Sequence, residues 1–426
     1  MRSSCRPRAP GGAPAREGHQ LSKQVVTPRI RGYIATNAHP DGCAANVQNL
    51  WAHARTTSTG GKLDNVLVIG SSTGYGLATT LCTNFSSGGK ALGVCLERPS
   101  TEERTGSAGW YNVVEATRIA QEEYRTLRTI NGDCFSDEVK AATVAELKKN
   151  FGKLNFVAYS IAAPRRRDPE TGITYSSVLK PIGQTYRGKT IDFRNDEVID
   201  TEIEPADESE IRDTVKVMGG EDWERWIRLL IEEDLLDQQA YTVAYTYIGP
   251  EVTYPIYRAG TIGRAKEHLE MTGAKLMPLM KAAVDGGAYV SANKATITQA
   301  SAAIPAVPLY LSVLRKVLKE KNLEETVIAQ IARMVHDHFQ NGKPWPTPAA
   351  DGLIHLDDWE MRPDVQEIVK ERFAQITTET LNTVGDYAGY KQEFEQLFGF
   401  GVPGVDYSLP TEIHRTNSDI IDMTGA

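Results

Sequence analysis

Cysteine is sparse in this chain: Cys5, Cys43, Cys82, Cys95 and Cys134 are the five among 426 residues, an odd total with no C-x-x-C pair. That excludes a disulfide scaffold and a cysteine metal framework, and it points to reduced thiols in a cytoplasmic compartment. Basic charge is also short. Lys+Arg of 47 against Asp+Glu of 55 gives a net charge of −8 and a pI near 5.6, so no broad basic face is offered to nucleic acid. Long apolar runs are nearly missing. Ala295 to Leu314 has the length of a membrane span, but it holds Thr296, Thr298, Gln299, Ser301, Pro305 and Pro308. It is read as a buried helix with prolines near its start, not as stable membrane insertion. No repeat recurs at a fixed period. What remains, 41% hydrophobic and 24% charged, is the composition of an ordinary globular protein.

Residues 1–22 stand apart. Arg2, Arg6, Arg8 and Arg16 precede the first acid, Glu17, among prolines, glycines and alanines and without an apolar h-region. This reads as a disordered leader, with an Arg-rich organellar targeting segment as the alternative. Residues 23–426 read as one enlarged domain.

From Asn65 short β-branched runs alternate with amphipathic stretches, the signature of a parallel sheet covered by helices on both faces. Strands are expected at Val66 to Gly70, Ala91 to Glu97, before Asn131, at Phe156 to Ser160, Tyr241 to Ile248 and Ala288 to Ser291. The expected fold class is therefore α/β, a Rossmann-type doubly wound parallel sheet. Pro164 to about Glu221 breaks the rhythm as a polar excursion, either covering the sheet or forming a partner surface. From Trp359 onward two helices and an irregular tail are expected.

Gly70, Gly74 and Gly76, in G-S-S-T-G-Y-G, follow the first strand and open a helix. Such a turn lets the backbone approach a pyrophosphate, and the helix N-terminus offers it unpaired N–H groups. Glu97 ends the second strand about 20 residues later, where a carboxylate accepts from ribose hydroxyls and repels a 2′-phosphate, favouring NADH over NADPH. Asp133 and Ser160-Ile161-Ala162 follow the third and fourth strands on the same carboxyl edge, placed for adenine and ribose.

For chemistry the informative stretch runs from Tyr241 to Lys266. Tyr241, Val243, Tyr245 and Tyr247 share one strand face by alternation, and Tyr247 lies at the carboxyl end beside Gly249-Pro250. Tyr257 and Lys266 are nine positions apart, and Gly260 and Gly263 between them permit the chain to fold back. A Tyr-Lys pair suits acid chemistry over a nicotinamide, because an adjacent ammonium favours the phenolate. A mixed core of tyrosines with a surface lysine accounts equally for the spacing. His336-Asp337-His338 reads as a solvated helix face rather than a metal pair, and no metal site is expected. His39-Pro40 with Gly42-Cys43 reads as a structural turn. Arg165-Arg166-Arg167 is the compact basic cluster a carrier protein could dock on.

These residues resemble the FabV-type enoyl reductases, also called trans-2-enoyl-CoA reductases, a divergent branch of the short-chain dehydrogenase/reductase superfamily. The shared segments include H-P-D-G-C at His39, G-S-S-T-G-Y-G-L-A at Gly70, A-G-W-Y-N at Ala108, I-N-G-D at Ile130 and Y-S-I-A-A-P at Tyr159. Y-I-G-P at Tyr247, G-T-I-G-R-A-K at Gly260, T-Q-A-S at Thr298, D-D-W-E-M at Asp357 and F-G-F-G at Phe398 follow in order. The resemblance implies a monomeric enzyme that reduces the C2=C3 bond of trans-2-enoyl thioesters of CoA or acyl carrier protein with NADH. It implies that Tyr257 and Lys266 are catalytic and that Tyr247 contacts substrate. It further implies that NAD(H) is held by Gly70, Ser71, Ser72, Thr73, Gly74, Tyr75, Leu96, Glu97, Asp133, Cys134, Ile161, Ala162, Lys266, Ala295, Thr296 and Ile297. Tyr254 stands where the family commonly has tryptophan, and Arg258 replaces a frequent aromatic, which bears on chain-length preference. A carbonyl-reducing dehydrogenase and a dinucleotide-binding scaffold without turnover are the alternative readings.

Overall fold

The computed structural model describes residues 23–57, 63–86, 89–340 and 346–425, so the leader expectation and Cys5 lie outside the described residues. Eight parallel strands form the central sheet: β1 Asn65–Ile69, β2 Lys90–Cys95, β3 Leu127–Asn131, β4 Leu154–Tyr159, β5 Leu236–Thr246, β6 Gly287–Ala292, β7 Leu353–His355 and β8 Ile420–Asp422. Their spatial order is β7-β6-β5-β4-β1-β2-β3-β8. Strand order reverses at β1, the switch point where an open α/β sheet forms its ligand crevice.

Alternation along each strand feeds two cores. Leu67 and Ile69 of β1 pack with Leu92, Val94, Val157 and Ala244 on one face, under α4 (Asp137–Glu146), α6 (Glu221–Glu232) and α7 (Thr261–Val284). Val66 and Val68 point the other way with Phe156, Ala158, Val243 and Tyr245, under α1 (Pro40–Thr56), α2 (Gly74–Leu81), α3 (Ala108–Glu122) and α10 (Val327–Met334). Both faces are thus dry, as parallel strands rich in Val, Ile and Leu require. A third core lies beyond the carboxyl edge, where α9 (Val307–Glu320), α11 (Pro363–Gln375) and α12 (Tyr387–Gln396) bury Leu309, Tyr310, Val365, Val369, Tyr390 and Phe394 together with Tyr257.

Three expectations need correction. Ala295 to Leu314 is not one helix: a loop leads into the short α8 (Gln299–Ala302), and α9 begins only at Val307 with Pro308 in its first turn. Proline lacks the N–H that a continuous helix would need at those positions. The tail is not wholly irregular, because β8 pairs with β3 and places Asp422 opposite Asn131. Three residues carry too little alternation to announce a strand. The arginine run is also not one basic patch. It forms a strand, Arg165–Arg167, whose alternation buries Arg166 against Phe135, with its guanidinium donating to Lys216 O at 2.8 Å and Glu221 Oε1 at 3.0 Å. The excursion around it adds a hairpin, Tyr186–Asp192 with Glu197–Ile203, and α5 (Glu208–Met218), which packs on α7. Thr261 N donates to Lys180 O at 2.9 Å, so the excursion lies against the start of α7.

The glycine turn is held by contact rather than by flexibility. Gly70 sits at φ +89°, and a Cβ on Gly76 would lie 1.8 Å from Gly70 O. Gly76→Ala should therefore force the turn apart and lower the melting temperature by about 1–4 °C, from an overpacking cost of about 1–3 kcal/mol. Thermal unfolding followed by circular dichroism checks this, and an unchanged transition would mean that the turn can spread without loss.

Candidate active site

The carboxyl ends of β1 to β6 bring the expected residues to one edge. At β1, Gly70 to Thr73 lead into α2, whose N-cap Thr73 makes no side-chain cap bond, leaving the first-turn N–H groups for a ligand. At β2, Leu96 is 63% exposed, an apolar surface beside Glu97. Ser72 Oγ donates to Glu97 Oε1 at 2.6 Å and Ser107 Oγ donates to Oε2 at 2.5 Å. Burial pushes the Glu97 carboxyl up, and the two serine hydroxyls and Arg98 offset part of that. Asn131 of β3 clamps the Glu97 backbone, accepting from its N–H at 2.7 Å and donating to its carbonyl at 2.9 Å. A cleft of about 90 Å³ opens beside Glu97, lined in part by Asn37, Thr73, Ser107 and Gln299.

Further along, Asp133 closes its turn by accepting from Phe135 N–H at 3.0 Å, and the buried Cys134 gives its carbonyl to Lys140 Nζ at 2.8 Å. Lys140 in turn pairs with buried Asp222. Ile161 is half-buried and Ala162 exposed where β4 ends. After β6, Tyr75 O–H donates to Lys294 O at 2.7 Å and lies 2.9 Å from Thr296 Oγ1, which ties the Ala295-Thr296-Ile297 loop to α2.

Tyr247 lies just past β5, not within it, and its ring meets that of Tyr257 edge-on with centroids 4.8 Å apart. Tyr257 precedes α7, and its carbonyl accepts from the N–H groups of Gly260 and Gly263, the fold-back that those glycines permit. Lys266, in the second turn of α7, donates from Nζ to Tyr245 O at 3.0 Å. The expected phenolate bias at Tyr257 is overturned: burial pushes this phenol well up, so it stands protonated as a donor. Burial also holds the Lys266 amine down to about 8. Desolvation is the largest influence on both groups.

Two groups were not singled out from the sequence as site residues. Glu360, in D-D-W-E-M, is fully buried; its Oε1 accepts from Tyr247 O–H at 2.9 Å and Tyr310 O–H at 2.6 Å, and its Oε2 from Ala295 N–H at 2.6 Å. Burial raises this carboxyl while its donors and Lys294 oppose the rise. Its place in the D-D-W-E-M segment shared with the family was the signal. The other is Arg258, whose guanidinium meets Glu270 with both Nη atoms, at 3.0 and 3.1 Å. His39 is the structural turn expected, capping α1 by accepting from Gly42 N–H at 3.2 Å. Among the described residues no group of three or more His, Cys, Asp or Glu could hold a metal, and no helix is long and apolar enough to cross a membrane.

Comparison with known proteins agrees with this geometry. A family model described as the trans-2-enoyl-CoA reductase catalytic region matches residues 104–339, and one described as the NAD(P)H binding domain of trans-2-enoyl-CoA reductase matches residues 25–102. The chain belongs to the trans-2-enoyl-CoA reductase family. It is 48% identical over 394 residues to the enoyl-[acyl-carrier-protein] reductase [NADH] of Coxiella burnetii, covering 92% of this chain and 97% of that one. It is 46% identical to the trans-2-enoyl-CoA reductase [NADH] of Clostridium perfringens, covering 91% and 99%. The crystal structure of Clostridium acetobutulicum trans-2-enoyl-CoA reductase in complex with NADH superposes with a TM-score of 0.88 at 39% identity, covering 92% of this chain and 98% of that one. The Treponema denticola enzyme in complex with NAD gives 0.88 at 42%, covering 92% and 100%.

A third model, described as an enoyl reductase FAD binding domain, matches residues 350–410. The residues of this segment do not fit a flavin. The inner faces of α11 and α12 are spent on α9, and a Cβ on Gly399 would lie 2.5 Å from His39 O, so that turn approaches α1 rather than a pyrophosphate. The cleft beside Glu97 touches the segment only at Phe398. What the segment does contribute to this edge is Glu360.

The Lys266 amine titrates near 8 when folded and near 10.5 when unfolded, so below about 8 its burial as a cation costs stability, and the parent gains stability as pH rises from about 8 toward 10.5. Lys266→Met should raise the melting temperature of the cofactor-free protein at pH 7 by about 2 °C or more, with the difference shrinking as pH rises through that window. Melting curves of both proteins from pH 7 to 10 check the sign.

Proposed function

We propose that this chain reduces the C2=C3 double bond of trans-2-enoyl thioesters with NADH. The observation that carries the reading is Tyr257, a buried protonated phenol against Tyr247, on the same sheet edge as the glycine turn and Glu97. The uncapped start of α2 suits a pyrophosphate, and the Glu97 cleft suits a ribose. Gly70 to Tyr75 would hold its pyrophosphate, Leu96 and Glu97 its adenosine ribose, and Asp133 and Cys134 its adenine. Ile161, Ala162, Lys266 and Ala295 to Ile297 would line the nicotinamide end.

When bound, NADH supplies a hydride for C3 of the enoyl chain. Negative charge then collects on the thioester oxygen, and Tyr257 donates a hydrogen bond or proton to it. The proton that completes the reduction ends on C2. Lys266 orients the ribose and supports the tyrosine once it gives up its proton. Tyr247 contacts the substrate beside it. The thioester is carried by CoA or acyl carrier protein, the two carriers named among the relatives, and the role in fatty acid synthesis follows from the latter. Cytoplasmic placement is supported by the free thiols of Cys43, Cys82, Cys95 and Cys134, and a monomer is what the family resemblance implies.

Crotonyl-CoA-dependent oxidation of NADH tests the reading: oxidation with a β-ketoacyl thioester instead would favour carbonyl reduction, and oxidation with neither a binding scaffold. In the same assay Tyr257→Phe should lower turnover by about 10²–10⁴-fold while NADH binding persists. Near-parent turnover would remove Tyr257 from the chemistry. Cofactor preference gives an independent check, since the Glu97 carboxylate would face a 2′-phosphate across a partly desolvated cleft. NADH should be preferred by kcat/KM, and Glu97→Ala should narrow the gap chiefly by improving NADPH; a parent that uses both equally would refute this role for Glu97.

A further inference from the structure

Glu360 joins two parts of the candidate site that lie more than fifty residues from it in sequence. One oxygen holds the Tyr247 and Tyr310 hydroxyls, and the other holds the Ala295 N–H at the head of the loop assigned above to the nicotinamide. The Glu360 carbonyl is fixed in turn by Gln366 Nε2 at 2.6 Å, and Gln366 also reaches Tyr310 O–H at 3.3 Å. Every donor around the carboxylate is therefore committed, on a residue with no solvent exposure. A carboxylate accepts only, so Tyr247 must direct its proton toward Glu360 and away from the ring of Tyr257. That leaves Tyr257 as the phenol whose hydroxyl proton is free for the thioester oxygen.

We propose that Glu360 is a positioning residue, which fixes the Tyr247 hydroxyl and the Ala295 loop in one geometry so that the enoyl group and the nicotinamide meet in register. The inference rests on the reading of this site as an enoyl thioester reductase. A carboxamide at this position has nearly the same shape, but it keeps only one acceptor oxygen and turns a donor toward the tyrosines. If that oxygen stays on Ala295, the Tyr247 hydroxyl must rotate.

The test compares the parent protein with Glu360→Gln, Tyr247→Phe and the double variant, measuring kcat and KM for crotonyl-CoA and the Kd for NADH. Glu360→Gln is expected to lose about 10–100-fold in kcat/KM, the scale of a small misplacement in a positioned site, with the NADH Kd changed less than about threefold. The double variant should lose no more than the larger single loss, because both changes break the same contact. Parent-like kcat/KM in Glu360→Gln, or losses that multiply in the double variant, would overturn the proposal. If Glu360→Gln does not fold, Glu360→Asp carries the test, since its shorter side chain cannot span Tyr247 and Ala295 together; the same loss is expected and the same retention would overturn it. A parent inactive with crotonyl-CoA would instead defeat the functional reading, and the positioning role with it.

Discussion

Everything at the candidate site depends on the parallel register of the sheet. Because β1 pairs in parallel with both β2 and β4, the loops after all three leave on one side, and the crevice forms where strand order reverses. Parallel strands need both faces covered, and that need recruits helices from across the whole chain. The close contact of Gly76 with Gly70 is then a local expression of a global constraint: α2 must start at once, and close to the sheet, for its N-terminus to face the crevice.

Two carboxylates, half-buried Glu97 and fully buried Glu360, finish what the sheet begins, and they do so by the same device. Glu97 is gripped by Ser72 and Ser107, with its backbone held at both ends by Asn131. Glu360 is gripped by two tyrosines and a backbone N–H. Charge withdrawn from water is tolerable only when its lone pairs are met, so each acid fixes the groups that surround it as firmly as they fix the acid. The first stands just past β2, the second holds the loop after β6, and β1 with its glycine turn lies between those strands.

The sheet was legible because strand periodicity and turn glycines are local signals. VLVIG, FVAYS and the glycine turn after Gly70 fall where the alternation puts them. β7 and β8 were not legible, since three residues show no period and their pairing partners lie far off in the chain. Tyr257 and Lys266 could be named from the family resemblance, yet spacing alone left their proximity open. The protonation of the pair followed from burial, which only the folded chain displays. Glu360 was missed for the same reason: its partners come from the segment just past β5, from α9 and from the loop after β6, and nothing within reach of residue 360 in sequence announces them.

β8 matters for how the molecule assembles. β3 carries residues 127–131 and its outer partner carries residues 420–422, so this pairing joins segments about 290 residues apart. Pairing at such separation costs loop-closure entropy before it returns any stabilisation. Without β8, β3 would present a row of unpaired N–H and C=O groups, an edge open to association with other copies of the chain. The Asn131 side chain, which clamps Glu97, would also lose its bond to Asp422 Oδ1 at 3.0 Å. One short strand thus closes the sheet edge and braces the clamp on Glu97.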